Sequence, residues 1–180
     1  MTEKITLEEG SIINERYTLK KLVNISGACK TFLAIENHSR IEVIIKILLF
    51  SEIEDWKTRE FFEREVEILK NLNHKNIPHF IDSFKLGDET EELFLLVMEY
   101  KNGSTLYDVV CNGKLFSYEE ILHIIDRLLK IISYIHRLCP ILIHRDINPK
   151  NVIMSDKNEV SLIDFGSAVR MTETEISADG

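Results

Sequence analysis

The sequence predicts an α+β fold: a small antiparallel β-sheet lobe with one helix, followed by the beginning of a mainly helical lobe. Three observations lead there. Strand-like runs crowd residues 17–50, separated by short turns, a spacing that suits an antiparallel meander. A stretch of helical period, Trp56 to Leu72, parts these runs from two further ones. A long apolar helix then opens at Ser117, and only short apolar runs follow it.

Residues 1–16 read as a polar lead-in. The first three strands are Tyr17 to Val23, Lys30 to Glu36 and Ile41 to Phe50, with turn residues Asn24-Ile25-Ser26-Gly27 and Asn37-His38-Ser39 between them. The third carries Lys46 within Val43-Ile44-Ile45-Lys46-Ile47-Leu48-Leu49, a run apolar on both faces. Its ammonium either snorkels to water from a strand edge or is a buried cation that requires a partner. In the helix, Phe61, Phe62, Val66, Ile68, Leu69 and Leu72 make an apolar stripe, and Glu65 lies three or four residues from Phe61, Phe62, Ile68 and Leu69. A carboxylate on that face is costly to desolvate unless it meets a cation, and Lys46 is the candidate. Glu63 and Glu67 read as a solvated face.

After Asn73-His74-Lys75-Asn76 come two strand candidates, Ile77 to Lys85 and Leu93 to Glu99, split by the acidic turn Gly87-Asp88-Glu89-Thr90-Glu91-Glu92. His74 and His79 have no third ligand at metal spacing and read as turn or packing residues. The pattern breaks at residues 100–104, taken as a hinge between a lobe of residues 17–99 and a partial lobe of residues 105–170. Ser117-Tyr118-Glu119-Glu120 is a capping box: Ser117 takes a free amide of the helix and Glu120 returns the bond. The helix it opens runs to about Leu138 and is apolar at Ile121, Leu122, Ile124, Ile125, Leu128, Leu129, Ile132 and Ile135, so it is expected to be buried on most sides.

Two short apolar strands, Val152 to Met154 and Val160 to Ile163, are joined by a polar turn. Their pairing would bring Asp146 and Asn151, before the hairpin, close to Asp164 after it. That places a base and two metal ligands in one small volume.

Composition narrows the setting. The chain has 180 residues, 44% of them hydrophobic, enough for a folded core, and a net charge of -8 that argues against a nucleic-acid-binding face. Cys29, Cys111 and Cys139 are widely spaced, without a CxxC, which fits reduced thiols in a cytoplasm. No apolar run approaches the roughly 20 residues of a membrane span, and Met1-Thr2-Glu3-Lys4 begins no signal peptide. The expectation is a soluble cytoplasmic protein with no nucleic-acid or membrane partner.

His144-Arg145-Asp146, four residues and Asn151, followed by Asp164-Phe165-Gly166, resembles the catalytic loop and metal-binding turn of the eukaryotic-type Ser/Thr protein kinases. The resemblance covers about Tyr17 to Arg170 and implies a protein-kinase-like fold that uses ATP and Mg2+ and phosphorylates Ser/Thr hydroxyls of protein substrates. It implies that Asp146 accepts the hydroxyl proton, that Asn151 and Asp164 hold magnesium, and that Lys46, braced by Glu65, touches the α and β phosphates. Val23, Asn24, Ser26, Thr31, Ile44, Met98, Glu99, Lys101, Lys150 and Ile153 would line the nucleotide. Among them the Glu99 and Lys101 backbone would meet the adenine, with Met98 guarding the pocket behind it; Thr105 or Asp108 would reach the ribose.

The chain departs from the family pattern in four places. Asn24, Ser26 and Cys29 stand where the phosphate loop has its three glycines, and only Gly27 nearby is free to turn. Ile44 stands where the family has Ala above the adenine. Asn148 replaces the Lys expected two residues after the catalytic Asp, and Lys150, in the place where tyrosine kinases carry an Arg, is a substitute for its charge. Residues 171–180, with Thr172, Thr174 and Ser177, look like the start of an activation segment, but no Ala-Pro-Glu follows. The chain is therefore expected to be a fragment, a truncated reading frame, or one completed by a second polypeptide. The alternative to an enzyme is a pseudokinase or kinase remnant acting as a nucleotide-binding or protein-interaction module.

Overall fold

The computed structural model describes residues 7–53, 56–87 and 92–171. Residues 88–91 of the acidic turn and the activation-segment candidates Thr172, Thr174 and Ser177 lie outside them. The described residues form two compact units, one of those up to Val66 with those of Phe80–Tyr100, the other of Glu67–His79 with those from Lys101 on.

In the first unit, β1 (Ile12–Ile13), β2 (Tyr17–Ser26), β3 (Cys29–Glu36), β4 (Glu42–Leu49), β5 (Phe80–Leu86) and β6 (Leu93–Glu99) form one sheet in the order β1-β2-β3-β4-β6-β5. All neighbours run antiparallel, as the meander spacing requires. One face packs Tyr17, Leu19, Phe32, Ala34, Val43, Ile45, Ile47, Leu95 and Val97 into a core. Ile13 joins that core and is 1% exposed, so the stretch before Tyr17 is more than a polar lead-in. A two-residue strand is too short to show a period, which is why the sequence does not announce it. The run from Ile77 becomes strand only at Phe80; Ile77 is buried instead in the turn before it, its N–H donating to the His74 carbonyl at 2.9 Å.

Helix α1 (Trp56–Lys70) buries Phe62, Val66, Ile68 and Leu69. Phe61 falls off the expected stripe: it is exposed, its ring under the Arg64 guanidinium at 5.5 Å. Successive helical residues lie about 100° apart, and the stripe is centred on Phe62, Glu65 and Leu69 rather than on Phe61. Phe62 meets Phe94 of β6 at 5.1 Å between ring centres. Glu63 and Glu67 sit on the solvated face as expected, paired with Arg59 at 2.8 Å and Lys70 at 3.0 Å.

The second unit holds β7 (Ser104–Thr105), α2 (Leu106–Cys111), α3 (Tyr118–His136), β8 (Ile141–Ile143), β9 (Val152–Met154), β10 (Val160–Leu162) and β11 (Val169–Met171). Its strands pair as β10-β9-β7 and β11-β8. Gly103 makes the β7–β9 approach possible: its φ is +135°, and a Cβ there would run into the Met154 carbonyl oxygen. The capping box forms, with Ser117 Oγ accepting from the Glu120 N–H at 3.2 Å and Glu120 Oε2 from the Ser117 N–H at 2.8 Å. Helix α3 is not buried on most sides. Ile124, Ile131 and Ile135 are buried, whereas Ile121, Leu122, Ile125 and Leu129 are exposed. One face packs on β8 and β10, and among the described residues nothing covers the opposite one. No helix among the described residues is long and apolar enough to cross a membrane.

Candidate active site

In the first unit the pleat of β4 sorts its side chains. Val43, Ile45 and Ile47 enter the core, and Ile44 and Lys46 therefore point to the other face. Across that face Lys46 is registered with Thr31 and Leu96, and Ile44 with Leu33 and Met98. The Lys46 Nζ lies 2.8 Å from both carboxylate oxygens of Glu65. The Glu65 side chain is 4% exposed and that of Lys46 17%, so of the two sequence readings the partnered cation is the one realised. Two charge-assisted bonds offset a desolvation that neither group would tolerate alone.

The turn between β2 and β3 is only Gly27-Ala28. Asn24 and Ser26 are ladder residues, registered with Thr31 and Cys29, and the strand bulges between Leu22 and Asn24. Gly27 takes φ +54°, and a Cβ there would meet nothing within 4 Å. Val23 is exposed beside the bulge, Met98 is buried, and Glu99 is registered with Val43 at the strand end.

In the second unit the residues from His144 form a small hydrogen-bonded knot after β8. His144 is 1% exposed and packs edge-on against Phe165 at 4.6 Å. Its Nδ1 accepts from the Asp146 N–H at 3.3 Å and its Nε2 lies 3.2 Å from the Ile163 carbonyl, an arrangement that suits the neutral ring with its proton on Nε2. Burial holds the imidazole below its ordinary value, against the opposing pull of the Ile163 carbonyl and of the Asp164 and Asp146 charges. Arg145 and Asp164 both take left-handed backbone, φ +66° and +64°. Non-glycine residues adopt that conformation at a cost of order 1 kcal/mol, kept here by the packed surroundings.

The β9–β10 hairpin forms as its sequence predicts. Asn151, buried at its start, donates from Nδ2 to Asp146 Oδ2 and to the Asp146 carbonyl, both at 2.9 Å. Its own carbonyl accepts from the Ile163 N–H at 2.9 Å, which ties the residue before Asp164 to the loop. Asp146 Oδ1 receives a second amide, Asn148 Nδ2, at 2.8 Å. The sequence reading treated Asn148 as a lost charge and missed this bond. The available signal was the reach of an Asn side chain to backbone and carboxylate two residues away.

Other expected nucleotide residues are engaged locally. Lys150 Nζ stands 4.9 Å over the Tyr107 ring, and Lys101 Nζ donates to the Lys75 carbonyl at 2.7 Å. Thr105 Oγ1 donates to Asp108 Oδ2 at 2.7 Å and accepts from the Asp108 N–H at 3.0 Å, capping α2, so the two ribose candidates bond each other. Ile153 is registered with Thr105 and Ser161. His74 serves packing and a turn, as expected, stacking near Tyr134 at 4.9 Å and accepting from the Asn76 N–H at 3.1 Å.

With the Asn151 amide nitrogen committed to Asp146, its amide oxygen and the Asp164 carboxylate are the hard oxygens this stretch could offer a cation. No group of three or more His, Cys, Asp or Glu able to hold a metal occurs among the described residues. A two-residue oxygen set suits Mg2+, which is commonly held by one or two side chains with phosphate oxygens and waters completing its shell.

Residues 17–178 match the protein kinase domain, and the chain belongs to the protein kinase family. It is similar to the serine/threonine-protein kinase PrkC of Bacillus subtilis, 31% identical over 169 residues, 93% of this chain and 25% of that protein. It is also similar to the probable serine/threonine-protein kinase YbdM of the same organism, 29% identical over 171 residues, 94% of this chain and 64% of that one. Calcium-dependent protein kinase 4 of Plasmodium falciparum is 29% identical over 159 residues, 86% of this chain and 29% of its own length. The chain thus spans between a quarter and just under two thirds of these relatives.

Proposed function

We propose that the chain carries the chemistry of a Ser/Thr protein kinase, transferring the ATP γ-phosphoryl group to Ser or Thr hydroxyls of proteins. The observation that carries this is the Asp146 carboxylate, held by Asn151 in a loop whose backbone is tied to the residue before Asp164. As the acceptor oxygen bonds to the γ-phosphorus and the bond to the bridging oxygen breaks to release ADP, Asp146 takes the hydroxyl proton. Lys46 anchors the α and β phosphates, and Glu65 fixes where its ammonium sits. Asn151 and Asp164 would hold magnesium, which when bound neutralises phosphate charge. Ile44 and Met98, neighbours across one sheet face, offer an apolar surface for the base, and the family resemblance adds Val23 and Thr31 to it. Ser/Thr is preferred to Tyr because Ile147 and Pro149 fit the Ser/Thr pattern and because the relatives carry that name.

The partners that follow are ATP, Mg2+ and a protein substrate, and the exposed face of α3 would receive further polypeptide. Cys29, Cys111 and Cys139 are in no disulfide among the described residues, which fits a cytoplasmic setting. A second reading, a kinase remnant that binds nucleotide or a partner without transferring phosphate, is favoured by that same uncovered face and by a β2–β3 turn without the family's glycines. Transfer from radiolabelled ATP to a Ser/Thr peptide mixture separates the two. Asp146→Asn should lower transfer by about 10²–10⁴-fold, to a small measurable rate, while Mg·ATP still binds; transfer near the wild-type rate in the variant removes Asp146 as the base.

A further inference from the structure

We infer that Asn148 is a positioning residue for Asp146, its amide fixing one carboxylate oxygen while Asn151 fixes the other. The inference rests on the kinase reading above and adds to it a residue whose family counterpart is a lysine.

Each oxygen of Asp146 takes one amide N–H, Oδ1 from Asn148 at 2.8 Å and Oδ2 from Asn151 at 2.9 Å. A carboxylate otherwise rotates about its last torsion in a broad two-fold well, and donors on opposite oxygens remove that freedom. Each oxygen keeps a further lone-pair direction for the hydroxyl whose proton it would accept. The Asn148 amide is held from both ends, because its Oδ1 accepts from the Lys150 N–H at 2.9 Å. Reversing the amide would set oxygen against carboxylate and N–H against N–H, so the hydrogen bonds define its orientation. The Asn151 N–H donates to the Asn148 carbonyl at 3.0 Å, closing the ring of bonds around the base. A lysine at 148 would bring charge to this place; the asparagine brings only geometry, and spends its donors on Asp146.

Asn148 also makes a local turn through Lys150, so the test must separate turn from clamp. Asn148→Asp keeps an acceptor for the Lys150 N–H and removes the donor to Asp146; Asn148→Ala removes both. Phosphoryl transfer to a Ser/Thr peptide is measured for the full chain, for these variants, for Asp146→Asn and for Asp146→Asn/Asn148→Asp, each with its thermal midpoint. Positioning predicts that Asn148→Asp lowers kcat by about tenfold or more with the KM for ATP changed less than about twofold, and that it costs nothing further on top of Asp146→Asn. Unchanged kcat in Asn148→Asp, or losses that add in the double variant, overturns the inference while leaving the kinase reading in place. Transfer unaffected by Asp146→Asn, or absent from a folded wild type, overturns the kinase reading and the catalytic role of Asn148 with it. The side-chain amide NMR signals of Asn148 report on the clamp without turnover: they should move on Asp146→Ala, and signals that stay in place show that no clamp exists.

Discussion

The Lys46–Glu65 pair makes the sharpest prediction about stability, because its two ends are unequally buried: the Glu65 side chain is 4% exposed and that of Lys46 17%. Breaking a fully buried pair by removing one partner costs roughly 3–5 kcal/mol, mostly the charge left behind. Lys46→Met takes the ammonium from the more deeply buried carboxylate and should cost about 3 kcal/mol. Glu65→Gln should cost about 2 kcal/mol, since the amide keeps an acceptor and Lys46 can extend toward water. For a chain of this size those values lower the thermal midpoint by about 6–12 °C and about 4–8 °C. Lys46→Met/Glu65→Leu should return to within about 1 kcal/mol of wild type, because an apolar pair of similar volume replaces the ion pair without stranding a charge. Urea and thermal unfolding followed by circular dichroism measure all three. Single variants within about 0.5 kcal/mol of wild type would mean a solvent-screened pair, and a double variant no more stable than Lys46→Met would mean that the lost ion pair is not what that variant costs. Either result refutes the reasoning.

Three further predictions concern the second unit. Ser117→Ala removes the acceptor for the Glu120 N–H and should lower stability by about 1 kcal/mol, read as a fall of about 2–4 °C in the midpoint. Gly103→Ala drives a methyl against the Met154 carbonyl and should cost about 2–3 kcal/mol, more than Gly27→Ala, where the added methyl meets open space and only the left-handed backbone resists it. His144 sets a pH dependence. Burial lowers its folded pKa, so the unfolded chain takes up a proton near the ordinary value of about 6.5 that the folded ring resists. Its contribution to stability is complete above that pH and is lost as pH falls toward the folded value. Unfolding free energy measured from pH 7.5 to 5 should therefore decline more steeply in wild type than in His144→Gln.

What the sequence disclosed follows from how locally each feature is encoded. The Lys46–Glu65 pair was legible because a carboxylate on the apolar stripe of a helix requires a cation, which decides between the two readings of Lys46, and the capping box because its two residues are three apart. The hairpin that gathers Asp146 and Asn151 near the residue before Asp164 was legible from two short apolar runs around one polar turn. Ile13 was not, since two residues carry no period and its burial depends on pairing with Tyr17. Phe61 misled because composition marks a residue as apolar while helix phase decides where it points. The breadth of apolar surface on α3 was read as burial on most sides; the described residues supply a partner for one face only. Asn148 was judged by the charge it lacks, whereas its hydrogen bonds to Asp146 depend on loop geometry that spacing does not reveal.

The most direct test of the kinase account is the thermal midpoint of the folded wild-type chain with and without Mg·ATP, beside Asp164→Ala. Ligand at a hundred times its dissociation constant stabilises by about 2.7 kcal/mol, an upward shift of roughly 5–10 °C for a chain of this length. The account predicts that shift in wild type and its loss or marked reduction in Asp164→Ala. A wild type that melts at the same temperature with saturating Mg·ATP as without it would contradict the nucleotide site, and with it the assignment of phosphoryl transfer to these residues.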